Sequence, residues 1–251
     1  MKIVILGGTG LIGSRLAEKL NQSGYTVVAA SKAAGINSIS GEGLYKALED
    51  ATVVIDVINS STFEGKTVID FFQRSTINLL TAAAYAGVKH HITLSMVGAD
   101  RLPASDYLRA KLAQEELVKN AGVPFTILRS TQFYEFAPRI TDLGAIGEEI
   151  HISPAAVQPV AADEVVDTLI DIAHTIPFNK TIEVAGPVRM PMSEFIRYYM
   201  DATEDPRQLV VDEHAYFLGT QLNDHSLVPH KDARVGSTRY QDWFHNQLVN
   251  Y

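Results

Sequence analysis

The sequence predicts an α/β fold: a doubly wound parallel sheet with a small C-terminal lobe on the substrate side. Three observations carry this. Ile3-Val4-Ile5-Leu6 is an all-apolar run, as a strand covered on both faces should be, and it leads straight into Gly7-Gly8-Thr9-Gly10-Leu11-Ile12-Gly13. Apolar strand-like runs then alternate with helical periodicity, the pattern that a parallel sheet with crossover helices requires. At 251 residues and 46% hydrophobic, the chain is large enough for one such domain and an appendage.

The elements follow in order. After the glycine turn, Ile12, Leu16 and Leu20 recur on one face of a helix, and Val27 to Ala30 makes the second strand. Between Ser31 and Asp50 the chain is too short for a full strand-helix-strand crossover, so an abbreviated strand around Ile36 to Ile39, or none, is expected there. The strand Thr52 to Ile58, a long helix from Val68 to Ala86, the strand His90 to Ser95, a helix from Ala104 to Ala121 and the strand Pro124 to Arg129 complete the first part. Beyond it, Gln158 to Val160 and Lys180 to Val184 read as short strands, and Asp163 to His174 and Met192 to Ala202 as helices. This gives a nucleotide-binding unit over residues 1–150 and an interleaved substrate-side lobe over 151–251, not an independent domain.

Composition narrows the function. There is no cysteine, which removes disulfides, thiolate metal sites and a cysteine nucleophile. A net charge of −8 argues against a nucleic-acid partner, and no apolar run is long enough to cross a membrane. Met1-Lys2 leads into a strand rather than a signal peptide, so a cytoplasmic location is expected. The histidines at 214, 225, 230 and 245 show no metal-ligand spacing, so no metal is expected, and no Gly-x-Ser-x-Gly elbow marks a hydrolase. The expected partner is a small-molecule substrate, and a homo-oligomer is compatible with the sequence.

The glycine run has the form of a diphosphate site. Glycines at 7, 10 and 13 permit a tight turn, a close approach of backbone to phosphate, and close packing of the next helix, whose free N–H groups then face the anion. The second strand ends in Ala29-Ala30-Ser31-Lys32, where an acidic residue would select NAD(H) by binding the ribose hydroxyls. Ser31 and Lys32 supply a donor and a positive charge instead, favouring NADP(H), with NAD(H) the alternative. Arg15 offers a second cation if it curls back; both cations also read as ordinary solvated residues. The expected cofactor contacts are Gly7, Thr9, Gly10, Leu11, Ile12, Gly13, Ser31, Lys32, Asn59 and Lys111.

Candidate chemistry lies in Ser95 and in Tyr107-Leu108-Arg109-Ala110-Lys111. A spacing of four places Tyr107 and Lys111 on one helix face, and Ser95 ends the preceding strand at the sheet edge where ligands bind. A phenol of pKa about 10 exchanges protons poorly at neutral pH, and an adjacent ammonium would lower it. Tyr107 is therefore the expected acid/base, Lys111 its tuner and ribose ligand, and Ser95 the donor to the substrate oxygen. A solvated helix face is the other reading of the Tyr-Lys pair.

Taken together, GGTGLIG at 7–13, NLLTAAAYAGVKHHITLS at 78–95, YLRAKLAQEE at 107–116, PFTILRSTQFYE at 124–135, VQPVAADEV at 157–165 and IEVAGP at 182–187 resemble the short-chain dehydrogenase/reductases, on the extended or atypical side and close to the NmrA-like group. The resemblance implies a Rossmann-like fold and an oxidoreductase acting on a small carbonyl compound or alcohol, with diphosphate binding at Gly7, Gly10 and Gly13 and proton chemistry at Ser95, Tyr107 and Lys111. Many atypical members lack the tyrosine, so Tyr107 favours catalysis. An asparagine that extended enzymes often carry is replaced near Phe72, since Asn78 matches the later asparagine. The resemblance also places Gln132 and Phe133 beside the nicotinamide, as substrate contacts. It leaves open a non-catalytic NADP(H)-binding redox sensor of the NmrA type, and a sugar-nucleotide epimerase or dehydratase.

Overall fold

The structure is a computed structural model that describes the backbone of residues 1–249 and the side chains of residues 1–246. Strand β1 (Lys2–Leu6) enters helix α1 (Leu11–Gln22), which returns to β2 (Thr26–Ala30). Period-two alternation explains β1: Ile3 and Ile5 pack with Leu16 and Leu20 on one side of the sheet, while Val4 and Leu6 pack with Leu44 and Leu79 on the other. No strand forms at Ile36 to Ile39. A 3₁₀ turn at Lys32–Ala34, a loop held by Asn37 Oδ1 accepting from the Ile39 amide at 3.0 Å, and helix α2 (Leu44–Leu48) carry the chain back instead.

Strand β3 (Val53–Asp56), helix α3 (Gly65–Ala86), β4 (His90–Met96), α4 (Asp106–Asn120) and β5 (Phe125–Ser130) follow. Then come α5 (Ala137–Leu143), β6 (Ala145–Ile146), β7 (Glu149–Ile152), β8 (Ala156–Val157) and α6 (Ala162–Ala173). The strand expected at Gln158 to Val160 falls at β8, with only an isolated bridge from Val160 to Phe133, because Pro159 cannot donate to a ladder. Strand β9 (Thr181–Ala185), β10 (Met190–Pro191), α7 (Met192–Ala202), β11 (Gln208–Val211), the hairpin β12 (Tyr216–Phe217) and β13 (Thr220–Gln221), β14 (Arg234–Val235) and α8 (Tyr240–Val249) complete the chain.

The main sheet is seven-stranded in the order β14-β9-β5-β4-β3-β1-β2, and every pairing in it is parallel. Chain order reverses between β1 and β3, and a crevice opens at the carboxyl ends of the strands at that reversal. The core on one face is α1 and α6 with Leu16, Val165 and Leu169; the other face carries α2 and α3. A further cluster joins Tyr107 of α4 with Tyr134, Phe195 of α7 and Tyr240 of α8.

Candidate functional site

A single cavity of about 660 Å³ occupies the crevice. One end is walled by Gly7, Thr9, Gly10, Leu11, Ile12, Ser31, Lys32 and Asn59, the middle by Leu94, Ser95, Met96, Tyr107 and Lys111, and the far end by Gln132, Phe133, Phe136, Arg139, Phe217 and Leu218. Every expected site residue lines it except Gly13, which packs beneath.

The glycine end is made of backbone. Gly7 adopts φ +81°, a conformation that a side chain resists, and a Cβ there would also press on the Val57 carbonyl at 2.9 Å. A Cβ on Gly13 would lie 2.1 Å from the Gly7 carbonyl oxygen, so α1 can approach the turn this closely only with glycine. Gly10 differs: its Cβ would meet only the Gly7 oxygen, at 3.4 Å, leaving room that a phosphate can use. The first α-type bond runs from the Ser14 amide to the Gly10 carbonyl, and no side chain caps α1, so the amides of Leu11, Ile12 and Gly13 lack helical partners and face an anion site. At the end of β2, the Ser31 hydroxyl accepts from the Ala34 amide at 3.3 Å, and among the described residues no carboxylate pairs with Lys32. Arg15 is turned away from this end: its partly exposed guanidinium binds Glu135 at 2.8 Å and Asp163 at 3.2 Å.

The middle is made of side chains already engaged. The Tyr107 hydroxyl donates to Asn59 Oδ1 at 3.0 Å. Burial pushes its pKa above the ordinary phenol range, and the Asn59 contact offsets only part of that. Lys111 Nζ donates to the Leu94 carbonyl at 2.8 Å and to Gln114 Oε1, and lies 4.6 Å over the Phe72 ring. Burial lowers its pKa to about 8 against the opposing charges of Asp56 and Glu115. Among the described residues Lys111 makes no hydrogen bond to the phenol; the charges that face it are Asp56, which Gln114 Nε2 bonds at 3.0 Å, and Glu115. The Asp56 carboxyl is itself raised by burial, in opposition to Lys111, the Ile58 amide and Gln114. The Ser95 hydroxyl donates to Glu115 Oε1 at 2.6 Å, and Glu115 also receives Arg129 Nε and Nη2 at 2.8 Å each. Ser95, Tyr107 and Lys111 thus share one cavity, but among the described residues no hydrogen bond joins any two of them.

Phe72 occupies the space between the two candidate groups, its ring 5.9 Å from Tyr107, so an apolar ring stands where the resemblance led us to expect a lost asparagine. Gln132 and Phe133 do wall the far end. Sequence reasoning missed Asp56 and Gln114, although a carboxylate inside the apolar run TVVIDVI was a signal. It also missed Arg139, Phe217 and Leu218, for which the sequence offers no local signal.

A glycine turn opening onto helix amides without helical partners, at the reversal point of a parallel sheet, defines a Rossmann-type nucleotide-binding fold. Residues 7–174 match the NAD(P)H-binding family, and the chain belongs to it. A photosystem II assembly factor, Ycf39, from Synechocystis is 26% identical over 149 residues, covering 54% of this chain and 46% of that protein. A (4-alkanoyl-5-oxo-2,5-dihydrofuran-3-yl)methyl phosphate reductase from Streptomyces griseus is 27% identical over 161 residues, covering 57% and 54%. The chain spans about half the length of these curated relatives. Among solved structures, Bacillus anthracis dTDP-4-dehydrorhamnose reductase in complex with NADP superposes with a TM-score of 0.78 at 16% identity over 100% of this chain and 99% of that one. Thermus thermophilus UDP-glucose 4-epimerase in complex with NAD gives 0.68 at 16% identity over 98% and 93%. At such identities these structures speak for the fold alone. Among the described residues, no helix is long and apolar enough to cross a membrane.

Proposed function

We propose that the chain is an NADP(H)-dependent oxidoreductase that reduces a small carbonyl compound or oxidises the matching alcohol, with Tyr107 moving the proton. The observation that carries this reading is the placement of the Tyr107 hydroxyl in the same cavity as the glycine turn, where Asn59 is its hydrogen-bond partner among the described residues. The amides of Leu11, Ile12 and Gly13 would hold the diphosphate and Lys32 the 2′-phosphate; the bound dinucleotide supplies the hydride. Burial disfavours the Tyr107 phenolate, which keeps the group protonated but makes it a weaker acid, so proton donation would have to be drawn by the negative charge that develops on the substrate oxygen as it is reduced. Asn59 orients the hydroxyl. Lys111 keeps a cofactor-side role as a cation anchored by Leu94 and Gln114, and the Ser95 hydroxyl, spent on Glu115, holds α4 to β4 in place of its expected role as oxyanion donor. The Streptomyces reductase relative supports a reductive activity.

One set of observations favours a second reading, a non-catalytic NADP(H) sensor: Ser95 and Lys111 are both bound into internal networks, and another relative is an assembly factor. A single substitution separates the two. Tyr107→Phe leaves the ring packing and NADPH affinity in place, and turnover of a panel of small aldehydes, ketones and quinones should fall by about two orders of magnitude or more. Unchanged turnover in the variant removes Tyr107 from the mechanism, and tight NADPH binding without turnover in the unmodified protein selects the sensor.

A further inference from the structure

Two groups that line the cavity make no hydrogen bond or ion pair to the described protein: the buried Gln132 amide, and the guanidinium of Arg139, an exposed residue at the cavity mouth. Gln132 is 6% exposed, and among the described residues its side-chain nitrogen and oxygen find no hydrogen-bond partner, so both are open to a ligand or water in the cavity. The backbone prevents an easy retreat: the Gln132 carbonyl accepts from the Val160 amide at 2.8 Å, and neighbouring Thr131 bonds the Gln158 carbonyl through its hydroxyl at 2.7 Å. The second group is Arg139 of α5, whose guanidinium lies 5.4 Å from the centre of the Phe63 ring at the cavity wall.

Arg139 has carboxylates within helical reach, yet both are occupied. Glu135, four positions earlier, is taken by Arg15 at 2.8 Å and by the Ala162 amide at 3.1 Å. Asp142, three positions later, faces Arg207 at 3.9 Å. Among the described residues no ion pair forms on Arg139, in a chain whose net charge is −8.

Opposite these groups stands the β12–β13 hairpin. Its turn residues Leu218 and Gly219 both have positive φ, +49° and +78°. Such turns ordinarily place Asn, Asp or Gly at both positions, so Leu218 holds a strained backbone while its side chain completes the apolar wall.

We propose that this end of the cavity selects an amphipathic ligand, an aromatic or extended apolar body bearing one acidic group, with the acid on Arg139 and a polar atom of the body on the Gln132 amide. The assignment deepens the reading of the opposite end as the dinucleotide site. A matched pair of probes tests it: 2-naphthaldehyde and 6-formyl-2-naphthoate, titrated calorimetrically into the protein with and without NADPH. The acid should bind about tenfold tighter than the neutral aldehyde, the scale of one charge-assisted contact near a surface. Arg139→Gln should bring the two probes to within about twofold of each other, and Arg139→Lys should retain part of the preference. Leu218→Asn, which relaxes the turn and so keeps the fold, should weaken both probes alike. Equal affinity for the two probes in the unmodified protein, or an undiminished preference for the acid in Arg139→Gln, overturns the proposal. Because each titration is run in both states, discrimination between the probes in a protein that does not bind NADPH would remove the dinucleotide reading and leave this one standing.

Discussion

The Tyr107 end and the glycine end of this cavity are built from different materials. At the glycine turn the groups facing the cavity are backbone amides, fixed by the β1 to α1 junction and left without partners. Around Tyr107 the groups are side chains, and each has found another: Tyr107 with Asn59, Lys111 with Gln114, Gln114 with Asp56, Ser95 with Glu115. The first region is preorganised for a ligand and the second for itself. A backbone site binds as soon as the chain folds, whereas a side-chain site acts only if a ligand competes successfully with existing internal bonds.

The comparison breaks most sharply at the glycines. Gly10→Val fills the space proposed for a phosphate and should lower NADPH affinity by about two orders of magnitude or more, read by titration of NADPH fluorescence, while thermal unfolding barely changes. Gly13→Ala should lose both binding and stability, because its Cβ would clash with the Gly7 carbonyl. If the two variants behave alike, the turn is not divided between ligand space and packing space. A smaller effect is expected at Lys32: a charge-assisted contact to the 2′-phosphate is worth roughly 1.5 to 3 kcal/mol, so Lys32→Ala should weaken NADPH by about one to two orders of magnitude and leave NADH unaltered. A preference of the unmodified protein for NADH would show that the end of β2 has been misread.

The mildest expected effect sharpens the other region. The Lys111 ammonium is lost as pH rises through about 8, well before the buried phenol ionises, so activity or nucleotide binding that needs the cation should decline on the alkaline side near that value. Asp56→Asn removes a neighbouring negative charge that favours the ammonium, and the midpoint should move to lower pH. A profile that stays flat to pH 10 would show that the Lys111 charge serves only the fold.

How far the sequence was legible follows the same division. Alternation in Ile3 to Leu6, the recurrence of Ile12, Leu16 and Leu20, and the glycine spacing all report backbone geometry, and the strands, helices and nucleotide end came from them. The meeting of Tyr107 and Lys111 in one cavity was legible from their spacing of four. What each hydroxyl and ammonium bonds was not, because spacing fixes the face of a helix and leaves the side chain free to turn toward a partner distant in sequence, as Ser95 does toward Glu115 and Lys111 toward Gln114 and the Asp56 charge. Arg139 and Leu218 were invisible for a related reason: one sits on a seven-residue helix and the other in a two-residue hairpin turn, elements too short for a period to show.

The sheet ends at β2, with no described strand outside it, and this has a bearing on how the protein behaves in a tube. The sequence Thr26-Val27-Val28-Ala29-Ala30 contains neither a charge nor a proline, the two features with which edge strands usually discourage company. Its outward amides and carbonyls form a template onto which a strand of a second molecule can add, extending both sheets into one. The edge is left open by the short return between Ser31 and Val53, where a longer crossover would have supplied a covering strand, and Thr26→Lys at its exposed first position is the substitution that would discourage such pairing.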